Sequence, residues 1–410
     1  MALRQRPPTL LVCAGESSGD FLGAAVVREL RRSLPDLEVF GLGGDSLAAE
    51  GTDLFRHVRD LSIVGFAEVF RQFPRFKVMS WKFLDEVERR HPDAALLVDY
   101  PGFNLQMAAE FQRMRIPVAW YVAPKVWVWR RHRIQFLRGR IEKMLVLFRF
   151  EEEIWRAGGV PVTFVGHPAG DFVRPAPDRA AFLAETGLDP ARPVLALLPG
   201  SRRSEVGYML TPLLAAAAEL VRRDPSLQPL VALAPNLDPG VLALPPGGPP
   251  VRVVRDRTHE ALGASRLALV ACGTAALEAA LLGVPNVVVY RTDPFTYWWG
   301  RRVTSLTRFA LPNILTGRDV VAELIQDDMT PARIVEAALP LLADGEPRRR
   351  MLEEFAEVRR EIGAPGASAR AAAEVLRIIE TKVARRTLRR IGTPDRPGTP
   401  SPSPRPSAGA

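Results

Sequence analysis

Short, wholly apolar runs recur along the chain, and each is followed by a segment whose apolar residues repeat at helical spacing. A run such as Leu10-Leu-Val-Cys-Ala14 is far too short to cross a membrane and has no polar alternation. It therefore fits a strand covered by helices on both faces, which is the setting of a parallel sheet. The pattern predicts βαβ units. Strands are expected at 9–14, 37–42, 94–98, 118–122, 143–147 and 162–165, with a first helix at 20–33. A second series follows, with strands at 194–198, 230–234, 267–271 and 286–290 and helices at 209–222 and 275–282. The Pro- and Gly-rich stretch 166–178 separates the two series and reads as a linker. Helical segments at 347–361 and 367–390 close the pattern. The expectation is α/β: two doubly wound parallel-sheet domains of similar size, facing each other across a cleft.

Composition narrows the class. The 410 residues are 47 % hydrophobic and 25 % charged, enough apolar material for more than one core. Cys13 and Cys272 both sit in apolar runs, which excludes a disulfide framework or a cysteine metal cage. The run 10–14 is too short for a signal peptide, and Glu16 and Asp20 follow at once. The most apolar stretch, 267–290, is broken by Gly273, Glu278, Gly283 and Pro285, so no membrane span is expected. The formal charge of +9 favours an anionic partner: nucleic acid, an anionic membrane face or a phosphorylated substrate. The segment 393–410, built of Pro, Ser, Gly, Thr and Ala with only three charged residues, lacks large apolar residues and is expected to be a disordered tail.

In such folds ligands bind beyond the carboxyl ends of strands, so the residues just after strands carry the chemistry. After the first comes Gly15-Glu-Ser-Ser-Gly19-Asp20. It is neither a dinucleotide fingerprint nor a phosphate loop with its lysine. It matches the nucleophile elbow G-x-S-x-G, yet no earlier strand exists to supply an oxyanion loop. A glycine turn binding a polar ligand and plain helix capping by Ser18 or Asp20 both remain open. Asp99 ends another strand, where a carboxylate can take a proton from a substrate hydroxyl or cap the next helix. In the second series, Gly200-Ser201-Arg202-Arg203 suits a diphosphate, with amides donating and guanidinium pairing. Gly273-Thr274 repeats that logic, and Glu278 lies one helical turn on, able to accept from a ribose diol. Two phosphate-suited turns in one domain and a lone carboxylate in the other point to nucleotide-sugar chemistry.

One segment departs from the pattern. Residues 61–77 set Phe66, Val69, Phe70, Phe73 and Phe76 at helical spacing with Arg71, Arg75 and Lys77 interleaved. A core-facing helix and an element dipping into an anionic bilayer both fit. Tyr297-Trp298-Trp299-Gly-Arg301-Arg302 has similar chemistry, and no strand pattern of a nucleic-acid-binding module accompanies either.

Taken together these motifs resemble the lipid-A-disaccharide synthase family of inverting GT-B glycosyltransferases. The resemblance rests on 14–20, Gly41-Leu-Gly-Gly44, 61–69, Asp99-Tyr-Pro-Gly-Phe-Asn104 and Tyr121-Val-Ala-Pro-Lys-Val-Trp127-Val-Trp129-Arg130. It continues through 160–168, Leu198-Pro-Gly-Ser-Arg202, Gly273-Thr-Ala-Ala-Leu-Glu278, Leu311-Pro-Asn313 and Gly317-Arg318. The likeness implies a GT-B fold with an acceptor- and membrane-facing domain at 1–170 and a UDP-sugar domain at 171–345. Helices at 346–390 would return toward the first domain, ahead of a tail at 391–410.

It also implies a reaction. UDP-2,3-diacylglucosamine would donate its sugar to 2,3-diacylglucosamine 1-phosphate (lipid X), giving the β-1,6-linked disaccharide 1-phosphate and UDP in lipid A biosynthesis. Asp99 would be the general base for the acceptor hydroxyl and Arg202 would neutralise the leaving diphosphate. Gly200, Ser201, Gly273, Thr274, Glu278 and Asn313 would hold the nucleotide; Glu16, Ser18, Asp20 and Asn104 would line the acceptor cleft. Phe66, Val69, Phe70, Phe73 and Phe76 would face the anionic inner membrane from a cytoplasmic, peripherally bound enzyme. No cofactor, metal or nucleic acid is implied, and a homo-oligomer is allowed. Cys272 stands where relatives usually have Ser, Gly102 where some have a second Asp, and Lys125 where a small polar residue is common. The alternatives are another UDP-sugar transferase of the same fold and a serine hydrolase on Ser17.

Overall fold

The computed structural model describes residues 6–60, 66–175, 178–242, 250–304 and 306–391, without side chains at 66–77, 303 and 389–391. The first series runs β1 (Thr9–Ala14), α1 (Ser17–Ser33), β2 (Glu38–Gly43), α2 (Asp45–Ala49), β3 (Asp53–His57), α3 (Phe66–Arg90) and β4 (Ala94–Val98). It continues with α4 (Pro101–Arg113), β5 (Val118–Tyr121), α5 (Arg133–Leu137), β6 (Lys143–Val146), α6 (Arg149–Ala157) and β7 (Val162–Phe164). Two short helices follow, α7 (Ala169–Phe172) and α8 (Arg179–Glu185).

The second series is β8 (Val194–Leu198), α9 (Arg203–Arg223), β9 (Gln228–Leu233), β10 (Arg252–Arg255), α10 (Thr258–Gly263), β11 (Leu267–Ala271) and α11 (Thr274–Leu282). Then come β12 (Asn286–Tyr290), α12 (Pro294–Val303), α13 (Leu311–Thr316), β13 (Ala322–Ile325), α14 (Pro331–Leu342), α15 (Glu346–Glu361) and α16 (Ala367–Ile391).

The strands form two all-parallel sheets. The seven-stranded sheet has the order β3-β2-β1-β4-β5-β6-β7 and the six-stranded one β10-β9-β8-β11-β12-β13. The central strands β1, β4, β8 and β11 are buried along their whole length, as their unbroken apolar sequences require. Each sheet reverses its winding once, between β1 and β4 and again between β8 and β11. Ligand crevices open at such switch points.

Three strands were not legible in sequence: β3, β10 and β13. All are sheet edges, and their mixed charged and apolar residues reflect one-sided cover. Helix α1 starts at Ser17, three residues before the expected Asp20. Helix α15 packs on α11, α13 and α14 beside the second sheet. Helix α16 crosses back to pack on α1, β4 and β5.

No helix among the described residues is long and apolar enough to cross a membrane. The backbone of α3 spans 66–90 as one helix, but the five apolar side chains expected to meet a bilayer, Phe66, Val69, Phe70, Phe73 and Phe76, lie outside the described residues. The tail expected at 391–410 lies, past its first residue, outside them as well.

Candidate functional site

Both switch points carry the residues that the sequence singled out. At the first, Asp99 follows β4 directly, and its amide donates to Tyr121 O at 2.9 Å across to β5. Asp99 and Tyr100 both have left-handed backbones, with φ of +45° and +46°. Two such residues in succession are strained unless their surroundings fix them. Two contacts do so. Asn104 Nδ2 donates to Asp99 O at 2.8 Å, and weakly to Val98 O and Cys13 O. The Tyr100 ring lies over Gly15, where an added Cβ would sit 2.1 Å from a ring carbon. The glycine of the first turn is therefore a seat for Tyr100.

The Asp99 carboxyl does not cap α4, whose N-cap Tyr100 lacks any side-chain cap bond. Burial and the Glu16 carboxylate push its pKa above the ordinary range, against the pull of Lys125 and a Tyr100 backbone hydrogen bond. Glu16, Ser17 and Ser18 are exposed at the start of α1. Asp20 takes a different place from the one expected. It is buried, and its carboxylate accepts from the amides of Gly44 at 2.6 Å, Ser46 at 2.9 Å and Leu47 at 3.1 Å, so it caps α2 instead of facing the cleft. Asn104 is likewise fully buried, and it positions the Asp99 turn from behind. No hydrogen bond joins Ser17 to a histidine among the described residues.

At the second switch point the turn after β8 holds Gly200 at φ +114°. A Cβ there would run into Glu205, 2.7 Å from its Cβ. The Glu205 carboxylate accepts from the amides of Ser201 at 2.9 Å and Arg202 at 3.1 Å, and from the Arg202 guanidinium at 3.0 Å. These two amides, expected to be open for phosphate, are thus occupied by this chain's own carboxylate. The Arg202 side chain projects into solvent. Across the switch point Gly273 and Thr274 are exposed, with open space where a Gly273 side chain would be. Glu278, mostly buried, stands 3.6 Å from His259 Nε2. Asn313 is not at the surface. Its amide group is spent on Val321 N and O and on Glu323 Oε1, with all three bonds between 2.8 and 2.9 Å, so it clamps the loop ahead of β13.

The two switch points face each other. Lys125, exposed in the loop after β5, acts electrostatically on Asp99, Glu151 and His167 in the first unit and on Cys272 after β11 in the second. Sequence reading did not single out the role of this cation, nor Glu151. That carboxyl accepts from Trp127 Nε1 at 3.1 Å, and burial pushes its pKa to about 7. Among the described residues no three His, Cys, Asp or Glu side chains gather to hold a metal ion.

A family model described as lipid-A-disaccharide synthetase matches residues 10–374. The chain is 42 % identical to a lipid-A-disaccharide synthase from Myxococcus xanthus, covering 91 % of this chain and 98 % of that one. It is 40 % identical to one from Koribacter versatilis, over 91 % and 99 %. Among solved structures it is similar in fold to the calicheamicin glycosyltransferase CalG4 (TM-score 0.57, 19 % identity, 92 % and 99 % covered). A UDP-GlcNAc 2-epimerase from Neisseria meningitidis bound to UDP-GlcNAc is similar too (TM-score 0.62, 14 % identity, 90 % and 100 % covered).

Proposed function

The chain belongs to the lipid-A-disaccharide synthase family, and from that premise we propose how its two switch points divide the reaction. It is a GT-B glycosyltransferase, a hexosyltransferase of lipid A disaccharide synthesis. The family implies a sugar nucleotide and lipid X as substrates. In our reading the donor is UDP-2,3-diacylglucosamine. Its diphosphate meets the exposed Arg202 side chain and the open backbone at Gly273–Thr274, and Glu278 accepts from the ribose hydroxyls. The first sheet, with residues up to about 170, takes the acceptor.

Asp99 removes the proton from the acceptor's 6-hydroxyl as that oxygen attacks the anomeric carbon from the face opposite UDP. The new C–O bond forms as the bond to the diphosphate breaks, which inverts the centre to β, and UDP leaves with the electron pair beside Arg202. The proton stays on the Asp99 carboxyl. A pKa raised above the ordinary carboxylate range suits that role, because a carboxylate within that range is a weaker base. Lys125, within reach of both sides, adds positive charge where the acceptor's 1-phosphate and the donor diphosphate both need it. Glu16 and Ser18 at the cleft rim are available to the acceptor's sugar.

The observation that carries this reading is the facing pair of switch points, one with a strained, pKa-raised aspartate and one with an arginine-bearing turn. An enzyme that handles doubly acylated substrates works at a membrane face, so we infer peripheral binding at the cytoplasmic side of the inner membrane. The test is incubation with UDP-2,3-diacylglucosamine and lipid X followed by mass analysis. Disaccharide 1-phosphate and UDP are expected. Asp99→Ala should lower turnover by about a thousandfold while UDP binding is retained; near-normal turnover would remove Asp99 as the base.

A further inference from the structure

Helix α12 carries an apolar face that the fold does not use. Phe295, Trp298, Trp299 and Arg302 fall at i, i+3, i+4 and i+7, one side of the helix. None of its described residues, 294–302, is buried. Phe295 is 72 % exposed, Trp299 56 % and Trp298 48 %, so these rings serve no core. They form a continuous patch: Phe295 and Trp298 have centroids 6.1 Å apart, Trp298 and Trp299 6.4 Å apart. The Arg302 guanidinium lies 3.7 Å from the Trp298 centroid. Arg301 and Arg302 are the helix's charged residues, and it has no acidic one.

Aromatic rings beside guanidinium groups match the boundary between phosphate headgroups and acyl chains in an anionic bilayer. The helix is also where such contact would serve the site. It begins four residues after Tyr290, the end of β12, and Tyr290 feels the charges of Glu205 and Arg202. We propose that α12 docks the carboxyl end of the second sheet onto an anionic phospholipid surface, which brings the mouth of the diphosphate site to the level of the lipid headgroups. The proposal rests on reading the substrates as acylated lipids. A second copy of this chain fits less well, because a twofold contact through α12 would bring Arg301 and Arg302 against their own duplicates.

The experiment uses the full chain with phosphatidylethanolamine vesicles, with and without phosphatidylglycerol, in sedimentation and in quenching by brominated lipids. Phe295→Ser/Trp298→Ser/Trp299→Ser should lower vesicle partition about tenfold or more. Arg301→Gln/Arg302→Gln should lower it about tenfold, and only on the anionic vesicles. Trp298→Phe/Trp299→Phe, a gentle change that keeps the fold, should remove most of the bromolipid quenching. Unchanged partition and quenching in these variants would overturn the role of α12, even if the protein still binds vesicles through another element. A wild-type dimer that dissociates in the serine variant, with partition unaffected, would overturn it in favour of a second copy. Disaccharide synthesis from micelle-dispersed substrates, run alongside, tests the enzymatic reading separately: product without α12 quenching sinks only the docking surface, and quenching without product sinks only the chemistry.

Discussion

Asp99, the base in the proposed reaction, has neighbours that act on both its backbone and its charge. Its left-handed conformation, with that of Tyr100, stores on the order of 1–3 kcal/mol per residue. The Tyr100 ring on Gly15 and the Asn104 amide on the Asp99 carbonyl hold that conformation in place. Its charge is set by burial and Glu16 on one side and Lys125 on the other. The sign of the pH dependence follows. A base must be deprotonated, so kcat/KM should fall as pH drops through the raised pKa of Asp99, at a higher pH than an ordinary carboxylate would give. Glu16→Gln removes a like charge and should move that acid limb to lower pH, whereas Lys125→Met removes an opposite charge and should move it up. A pH–rate profile on the three proteins measures both shifts. Identical limbs would mean that another group titrates.

The elements around the cleft explain why the sequence disclosed some parts of the site and hid others. Turns that follow buried strands are visible because five apolar residues announce the strand and the residues after it then lie at its carboxyl end; Asp99, Arg202 and Gly273 were singled out this way. Glu205 was hidden because its part in the turn depends on the helix reaching back three and four residues, to the amides of Arg202 and Ser201. Asn104 and Asn313 stand in the right motifs, yet their burial comes from tertiary packing that no local pattern encodes. Edge strands β3, β10 and β13 were missed for a different reason: each has a wet side and mixes charged with apolar residues. Helix α6 and the loop after β7 show a further consequence. Glu151 in the first turn of α6 is buried with a pKa raised from the usual carboxylate range to about 7, and His167 is buried with a pKa pushed down to about 4. A raised carboxyl favours folding below its unfolded pKa, and that contribution is lost as pH rises through about 7. A depressed histidine works the other way, losing stability as pH falls from about 6.5 toward 4. Glu151→Gln keeps the neutral shape without the charge, so its stability relative to wild type should improve as pH rises from about 5 to about 8. Urea melts at several pH values measure this, and a constant difference would show that Glu151 is not protonated in the folded chain near neutrality.

At the scale of the molecule, the chain passes between the two sheets twice, and the passages are tied together. The first leaves β7 toward α7; the second leaves α15 and enters α16. His167 N donates to Ile362 O at 2.8 Å and Arg370 Nε to Val165 O at 2.7 Å, so each passage hydrogen-bonds the other. Asp171, in the first passage, caps α16 by accepting from the amides of Gly366 at 2.5 Å, Ser368 at 3.0 Å and Ala367 at 3.2 Å. Burial alone would raise its pKa, but these bonds hold it below the ordinary range. At the far end of α16, Arg386 pairs with the buried Asp93 at 2.8 Å. The helix is therefore fastened to the first sheet at both ends while its chain arrives from the second, and any opening of the cleft must bend at the passages 166–171 and 362–367. Asp171→Ala should loosen only the near end. Losing a cap of this kind is worth about 1–2 kcal/mol, so amide exchange over 366–372 should speed up roughly tenfold while the amides of β8, β11 and β12 keep their protection. Equal acceleration in the second sheet would mean that Asp171 supports the whole fold, and unchanged exchange at the start of α16 would mean that the passages are held without it. With the cap gone, the angle between the sheets is less tightly set. If the nucleotide binds one sheet and the acceptor the other, as proposed, turnover should then fall with UDP affinity intact.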